Sequence, residues 1–171
     1  MVNPVVDQVK VRDDETVSER SGYELPLLLL GAFRSIIDDL HAELARCGHE
    51  QARPVHGFAL QAIGGDSITI GELGRRLGVT KQAAAKTARS LEQAGYAERS
   101  PHAADARSWT LTRTSRGLEF LVLSARIFDR LHRRWADQLG QERLRDLEQD
   151  LAVLTSGTPA ASVGNFPGWL Q

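Results

Sequence analysis

The fold of this chain is decided by one stretch, IGELGRRLGVTKQAAAKTARSLEQAGY (residues 70–96). In residues 70–77 apolar residues recur at helical spacing, and the pattern stops at Gly78. Thr80 is a favoured N-cap residue and begins a second helix, which runs to Ala94. Two short helices joined by a tight turn predict a helix-turn-helix.

A β-hairpin is predicted directly after this second helix. Residues 96–100 and 108–113 are strand candidates that flank residues 101–107, a loop too long for a tight turn. Thr114 then caps a long helix. A helix-turn-helix followed by a hairpin is the order of a winged helix.

Long amphipathic helices are predicted on both sides of this unit. The first runs from Glu24 to about Arg46, and a shorter helix spans residues 54–63. The helix after Thr114 has an apolar seam with alternating steps of three and four: Leu118, Leu121, Ala125, Phe128, His132, Trp135 and Leu139. One more amphipathic helix follows Gly140. Because these apolar faces exceed what one small domain covers, we expect a homodimer.

The expected fold class is therefore mainly α with a small β-hairpin wing, a winged helix-turn-helix flanked by dimerisation helices. Five segments are predicted along the chain. They are a flexible arm (1–22), an N-terminal dimerisation helix (23–51), a winged helix-turn-helix (52–113), C-terminal dimerisation helices (114–154) and an uncharged, extended or disordered tail (155–171).

Charge is distributed unevenly along the chain. The net charge is −1, yet residues 70–116 hold nine lysines and arginines against four acids, a net of +5. A compact cationic segment in a neutral protein is typical of a phosphate-binding face, although a solvated surface gives the same count.

Composition excludes several other classes of protein. No apolar run is long enough to cross a bilayer, and Cys47, the single cysteine, excludes an internal disulfide. No secretion signal is recognisable at the start of the sequence, so we expect a cytoplasmic location. We also find no phosphate loop, nucleophile elbow or paired carboxylates, and the chain is predicted not to be an enzyme and to need no cofactor.

The second helix of the helix-turn-helix divides into two faces. Ala84, Ala88 and Leu91 lie on one side, with Thr87 beside them, and are expected to pack on the domain. The residues expected to contact DNA lie on the other side or at the N-cap: Thr80, Lys81, Gln82, Ala85, Lys86 and Arg89. Amide and cationic donors on one face suit base edges and phosphates, and an ordinary solvated helix is the alternative.

In order and spacing, residues 52–121 resemble the winged helix of the multiple antibiotic resistance regulator (MarR) family. The resemblance depends on the 70–80 stretch and on four shorter motifs: Leu91-Glu92-Gln93-Ala94-Gly95-Tyr96, Glu98-Arg99, Asp105-Ala106-Arg107 and Thr114-Ser115-Arg116-Gly117. It implies a dimeric regulator that binds pseudo-palindromic double-stranded operator DNA. It also implies that small phenolic or other effectors bind between the dimerisation and DNA-binding parts.

The wing offers one further candidate for DNA contact. Arg107 lies on the predicted hairpin, two residues after Asp105. We expect Arg107 to enter the minor groove and the Asp105 carboxylate to orient it, whereas a surface ion pair is the plainer alternative.

Histidines and aromatic residues suggest other sites. His41, Cys47, His49 and His56 do not have the spacing of a zinc site, so no metal is expected. A thiol sensor is disfavoured as well, because Cys47 lies near the negative end of a helix. Phe128, His132 and Trp135 are expected to line either an effector site or the dimer interface. The alternative function for the chain is a winged-helix protein-interaction module without operator specificity.

Overall fold

The computed structural model describes residues 21–102 and 105–156, except for the side chains of residues 102–108. Within these residues the chain forms six helices and three strands, so the predicted mainly α fold with a small β wing is confirmed. The elements are α1 (Glu24–Arg46), α2 (Pro54–Ile63), β1 (Ile68–Thr69), α3 (Ile70–Leu77), α4 (Lys81–Gln93), β2 (Ala97–His102), β3 (Asp105–Arg113), α5 (Ser115–Leu139) and α6 (Gln141–Thr155).

Three threonines begin the helices of the winged-helix unit. The Oγ1 atoms of Thr69, Thr80 and Thr114 each accept a hydrogen bond from the backbone N–H three residues later, at 3.1 to 3.2 Å. Gly78 ends α3 with φ +65°, a conformation that favours glycine. The tight turn between α3 and α4 is thus fixed by local sequence, as predicted.

The three strands form an antiparallel sheet in the order β1-β3-β2. The hairpin is longer than predicted, since the segment expected to be a loop (101–107) contributes to both strands and only residues 103–104 lie outside the described part. Pro101 pairs with Trp109, after which the register shifts. Because β2 is an edge strand, the missing N–H of Pro101 does not prevent pairing.

The core lies where α2, α3, α4 and the C-terminal half of α1 meet the start of α5. Leu60, Leu73, Leu91 and Phe120 are buried there. Gly117 permits the closest approach, because a Cβ atom at this position would lie 2.1 Å from the carbonyl oxygen of Tyr96. The start of α5 therefore packs directly against the backbone of Tyr96, which follows α4.

Helix α5 has two apolar faces. The face packed on the core was missed by the sequence analysis, because a glycine and a serine interrupt its apolar pattern; it consists of Gly117, Phe120, Ser124, Ile127 and Leu131. The seven residues of the predicted seam are exposed or half-buried in the single chain. The seam is thus a second face, which the chain's own elements cover only in part.

The ends of the chain lie largely outside the described residues. This applies to the predicted arm (1–22), apart from residues 21 and 22, and to the predicted tail (155–171), apart from residues 155 and 156. None of the helices in the described ranges is long and apolar enough to cross a membrane.

Candidate nucleic-acid interface

Helix α4 has one buried and one exposed face, as its sequence predicts. Ala84, Thr87, Ala88 and Leu91 are buried. On the other side, the side chains of Lys81, Gln82, Lys86 and Arg89 are exposed, Ala85 is half-buried, and the N-cap Thr80 is exposed. These predicted DNA-contacting residues therefore lie together on the solvent-facing side of the second helix.

Several other cations of the basic segment have contacts within the chain. Arg76 donates to the Glu72 carboxylate at 2.7 Å and to the carbonyl oxygen of Ala62 at 2.8 Å, and Arg75 also pairs with Glu72. Arg99 forms an ion pair with Glu92 at 3.0 Å. These arginines are partly neutralised by their partners.

The three cations on the exposed face of α4 differ from these arginines. Within the described part of the chain, Lys81, Lys86 and Arg89 form no ion pair. Three cations of the basic segment without an ion pair in the described residues thus share the face of α4 that also exposes Gln82. Such a face is complementary to the phosphates and base edges of a duplex.

The wing is described only in part. Asp105 and Arg107 belong to β3, but their side chains lie outside the described part, so the expected orientation of Arg107 by Asp105 stays a prediction. Trp109, on the same strand, is 46% exposed, and no sequence motif marks it as a functional residue. Strand β3 extends beyond the two-residue strand β1, and this leaves Trp109 exposed. The sequence alone does not indicate this.

Two histidines are buried among the elements that support α4. His49 Nδ1 lies 3.1 Å from the Tyr96 hydroxyl oxygen, and His56 Nε2 lies 2.8 Å from Ser90 Oγ. Burial lowers the pKa of His56 to about 4, with smaller contributions from nearby Arg53 and from His41. Both imidazoles thus belong to side-chain hydrogen bonds that link α4 and the start of β2 to neighbouring elements.

Phe128, His132 and Trp135 line one groove, as the sequence analysis grouped them. The groove has a volume of about 250 Å³ and is lined mainly by apolar side chains of α1, α5 and α6. At its edge, His132 Nε2 lies 2.9 Å from a carboxylate oxygen of Glu148. The geometry gives an apolar site with one polar pair.

Large apolar side chains are exposed along the same helices. Five leucines in the first two turns of α1 are between 39% and 61% exposed: Leu25, Leu27, Leu28, Leu29 and Leu30. Leu118 and Val122 of α5 and Leu154 of α6 are similarly exposed. A surface of this kind is typical of a protein-protein interface.

Comparison with known proteins supports the same fold. A sequence model of the MarR family matches residues 54–108, which span α2, the helix-turn-helix and part of the wing. No curated protein matches the chain significantly.

Solved structures share the fold at low identity. YusO from Bacillus subtilis has 21% identity over 81% of this chain and all of its own, with a TM-score of 0.61. A MarR protein from Peptoclostridium difficile has 17% identity over 88% of this chain and 97% of its own, with a TM-score of 0.64. MepR from Staphylococcus aureus, in a DNA complex, has 18% identity over 78% of this chain and 97% of its own, with a TM-score of 0.57. At such identities the similarity concerns the fold.

Proposed function

We propose that this chain, which a sequence model of the MarR family matches over residues 54–108, is a dimeric DNA-binding transcriptional regulator. The observation that supports this most strongly is the exposed face of α4. It combines Lys81, Gln82, Lys86 and Arg89, while the opposite face is buried in the domain. The DNA complex of MepR provides an example of a protein with this fold bound to DNA.

Each residue of the α4 face has a proposed role. Gln82 and Lys81, in the first turn, contact base edges in the major groove, as the N-terminal residues of recognition helices do. Lys86 and Arg89 contact phosphates, and the small side chain of Ala85 allows the helix to approach the groove closely. Thr80, whose hydroxyl already caps α4, adds a polar group at the same end.

The wing provides the second proposed contact. Arg107 lies on β3 of the hairpin and enters the adjacent minor groove, where negative potential is strong. Asp105 orients the guanidinium by a charge-assisted hydrogen bond. Major-groove and minor-groove contacts then lie on α4 and on the hairpin that follows it in the same unit.

A homodimer is the proposed functional form. The exposed leucines of α1 and the exposed Leu118 and Val122 of α5 are apolar surface that a second copy can cover. Two copies related by a twofold axis present two α4 helices, which suits a pseudo-palindromic operator. Dimerisation therefore explains both the uncovered surface and the mode of DNA reading.

Regulation by a small aromatic or phenolic effector, with the protein acting as a repressor, completes the proposal. The groove that contains Phe128 and Trp135 is apolar and has a polar pair, His132 and Glu148, at its edge. This combination suits a flat apolar ring with one hydrogen-bonding substituent. Its volume of about 250 Å³ is close to the lower limit for small-molecule sites.

A duplex-selection experiment tests DNA binding. The full chain is incubated with a random-sequence duplex library, bound duplexes are enriched, and their affinity is measured by fluorescence anisotropy at several salt concentrations. We expect a sequence with inverted-repeat symmetry and an affinity that falls steeply with salt. If no duplex is enriched and affinity does not depend on salt, the chain is an interaction module and the proposal is wrong.

A further inference from the structure

A buried hydrogen bond joins the proposed recognition helix to α2. The imidazole Nε2 of His56 lies 2.8 Å from the Oγ of Ser90, and His56 is only 1% exposed. Ser90 follows Arg89 directly in α4. The bond therefore attaches to the recognition helix immediately next to its exposed cationic face.

The direction of this hydrogen bond follows from the other ring nitrogen. Within the described residues, His56 Nδ1 is buried and has no hydrogen-bond partner. A buried donor without a partner is rarer in proteins than a buried acceptor with spare capacity, so the proton is assigned to Nε2. His56 then donates to Ser90, and because burial lowers its pKa to about 4, the ring is neutral near pH 7.

The packing of α4 gives this bond its importance. The buried face of the helix consists largely of small side chains, Ala84, Thr87 and Ala88, with Leu91 as the one large apolar group. Small side chains make fewer contacts than large ones, so they fix the rotation of a helix about its axis less firmly.

Besides the apolar packing, one other side-chain hydrogen bond or ion pair in the described part joins residues of α4 (Lys81–Gln93) to a neighbouring element. It is the ion pair of Glu92 with Arg99, near the C-terminal end of the helix and partly exposed to solvent. An exposed pair of this kind contributes little. Among these two polar contacts, the bond from His56 to Ser90 is the one whose imidazole is buried.

We propose that His56 and Ser90 are positioning residues for DNA recognition, because their hydrogen bond fixes the direction in which Gln82 and Lys81 point into the major groove. This inference rests on the proposed function. A rotation of about 10° moves a side-chain tip, at about 6 Å from the helix axis, by about 1 Å. Base contacts need positions within about 0.5 Å, whereas flexible lysine and arginine chains on phosphates tolerate such a shift.

The test compares specific with non-specific DNA binding. Two probes are used, a duplex enriched by the wild-type protein from a random library and a duplex of the same composition with shuffled sequence. We expect Ser90→Ala to weaken binding to the enriched duplex about three- to tenfold and to leave binding to the shuffled duplex unchanged. Ser90→Thr keeps the hydroxyl and is expected to bind like wild type, as is the control Gln93→Ala on the same helix.

A double-mutant cycle identifies the hydrogen bond itself. His56→Phe keeps a ring of similar size but removes both nitrogens, so the double variant with Ser90→Ala is expected to lose no more specificity than either single variant. If His56→Phe does not fold, Ser90→Ala and Ser90→Thr still decide the question.

Three results would overturn the inference. If Ser90→Ala weakens both duplexes equally and lowers the melting temperature in parallel, the bond supports folding alone. If neither affinity changes while the wild type discriminates between the duplexes, the bond has no part in recognition. If the wild type binds no duplex at all, the proposed function is wrong, and this inference with it, before any variant is made.

Discussion

The guanidinium of Arg116 lies 5.5 Å from the centroid of the Tyr96 ring. It also donates hydrogen bonds to the carbonyl oxygens of Gly48 at 2.5 Å and Ala94 at 3.3 Å. One side chain at the start of α5 thus connects the end of α1 with the end of α4. Tyr96 in turn is fully buried and hydrogen-bonded to His49.

Arg116→Ala is therefore expected to destabilise the fold. The cation-π contact and two hydrogen bonds are lost together, and we expect the free energy of unfolding to fall by about 1–2 kcal/mol. Urea denaturation measures this change. The control is Arg133→Ala, an exposed arginine on the same helix, which should unfold like wild type; equal midpoints for both variants would contradict the assignment.

Stability is expected to fall with acidity because His56 is buried as a neutral ring. Its pKa is about 4 in the folded chain against an ordinary value of 6.5. The unfolded chain therefore binds this proton more readily than the folded chain, and the free energy of unfolding begins to fall below pH 6.5. We expect His56 to contribute a loss of about 2 kcal/mol between pH 7.5 and pH 5. His49 adds to it, since burial lowers its pKa too.

Urea denaturation at a series of pH values checks this dependence. His56→Phe removes the group, so its stability should vary less between pH 7.5 and pH 5 than that of the wild type. Identical pH profiles for the two proteins would mean that His56 is not the titrating group.

Elements that depend on local sequence were predicted well. Helix α2 begins at Pro54 and ends before Gly64, and α3 ends before Gly78, at the predicted residues in each case. Threonine caps, glycine stops and helical apolar spacing all act within a few residues, so they are visible in the sequence.

Features that depend on distant contacts were not predictable. The carbonyl oxygen of Ala62 that binds Arg76 lies 14 residues away along the chain, and the Ser90 partner of His56 lies 34 residues away. A sequence pattern does not reveal which arginines are engaged by such partners. The wing was underestimated for a related reason, since residues 101–107 were expected to be a loop, while the edge position of β2 allows Pro101 in a strand.

A substitution that introduces a charge on α1 tests whether this helix forms a dimer interface. Leu28 is 51% exposed in the single chain, so Leu28→Glu should leave the fold intact but bury a charge in the interface of a dimer. We expect the dimer dissociation constant to rise about 30-fold or more. Sedimentation velocity measures it, with Ser35→Glu, also exposed on α1, as the control. A wild-type protein with monomer mass at micromolar concentration would exclude the dimer.

The wing is tested by a pair of substitutions. Arg107→Ala is expected to weaken duplex binding about tenfold, because both wings of a dimer lose a minor-groove contact, and to leave the melting temperature nearly unchanged. Asp105→Ala should give a smaller loss in the same direction, since only the orienting partner is removed. Anisotropy titrations at fixed salt and melting curves check both variants. If Arg107→Ala unfolds, or binds like wild type, the arginine has no role in the minor groove.

The most direct measurement of the central claim compares Gln82→Ala with Lys86→Ala on the enriched duplex and on single-base variants of it. If α4 reads DNA, Gln82→Ala reduces discrimination at one base position in each half-site, by about 1–3 kcal/mol. Lys86→Ala instead weakens all duplexes alike and lowers the salt slope by about one for each copy of α4 on the duplex. Unchanged affinity, unchanged discrimination and an unchanged salt slope in both variants would contradict the claim that the exposed face of α4 binds DNA.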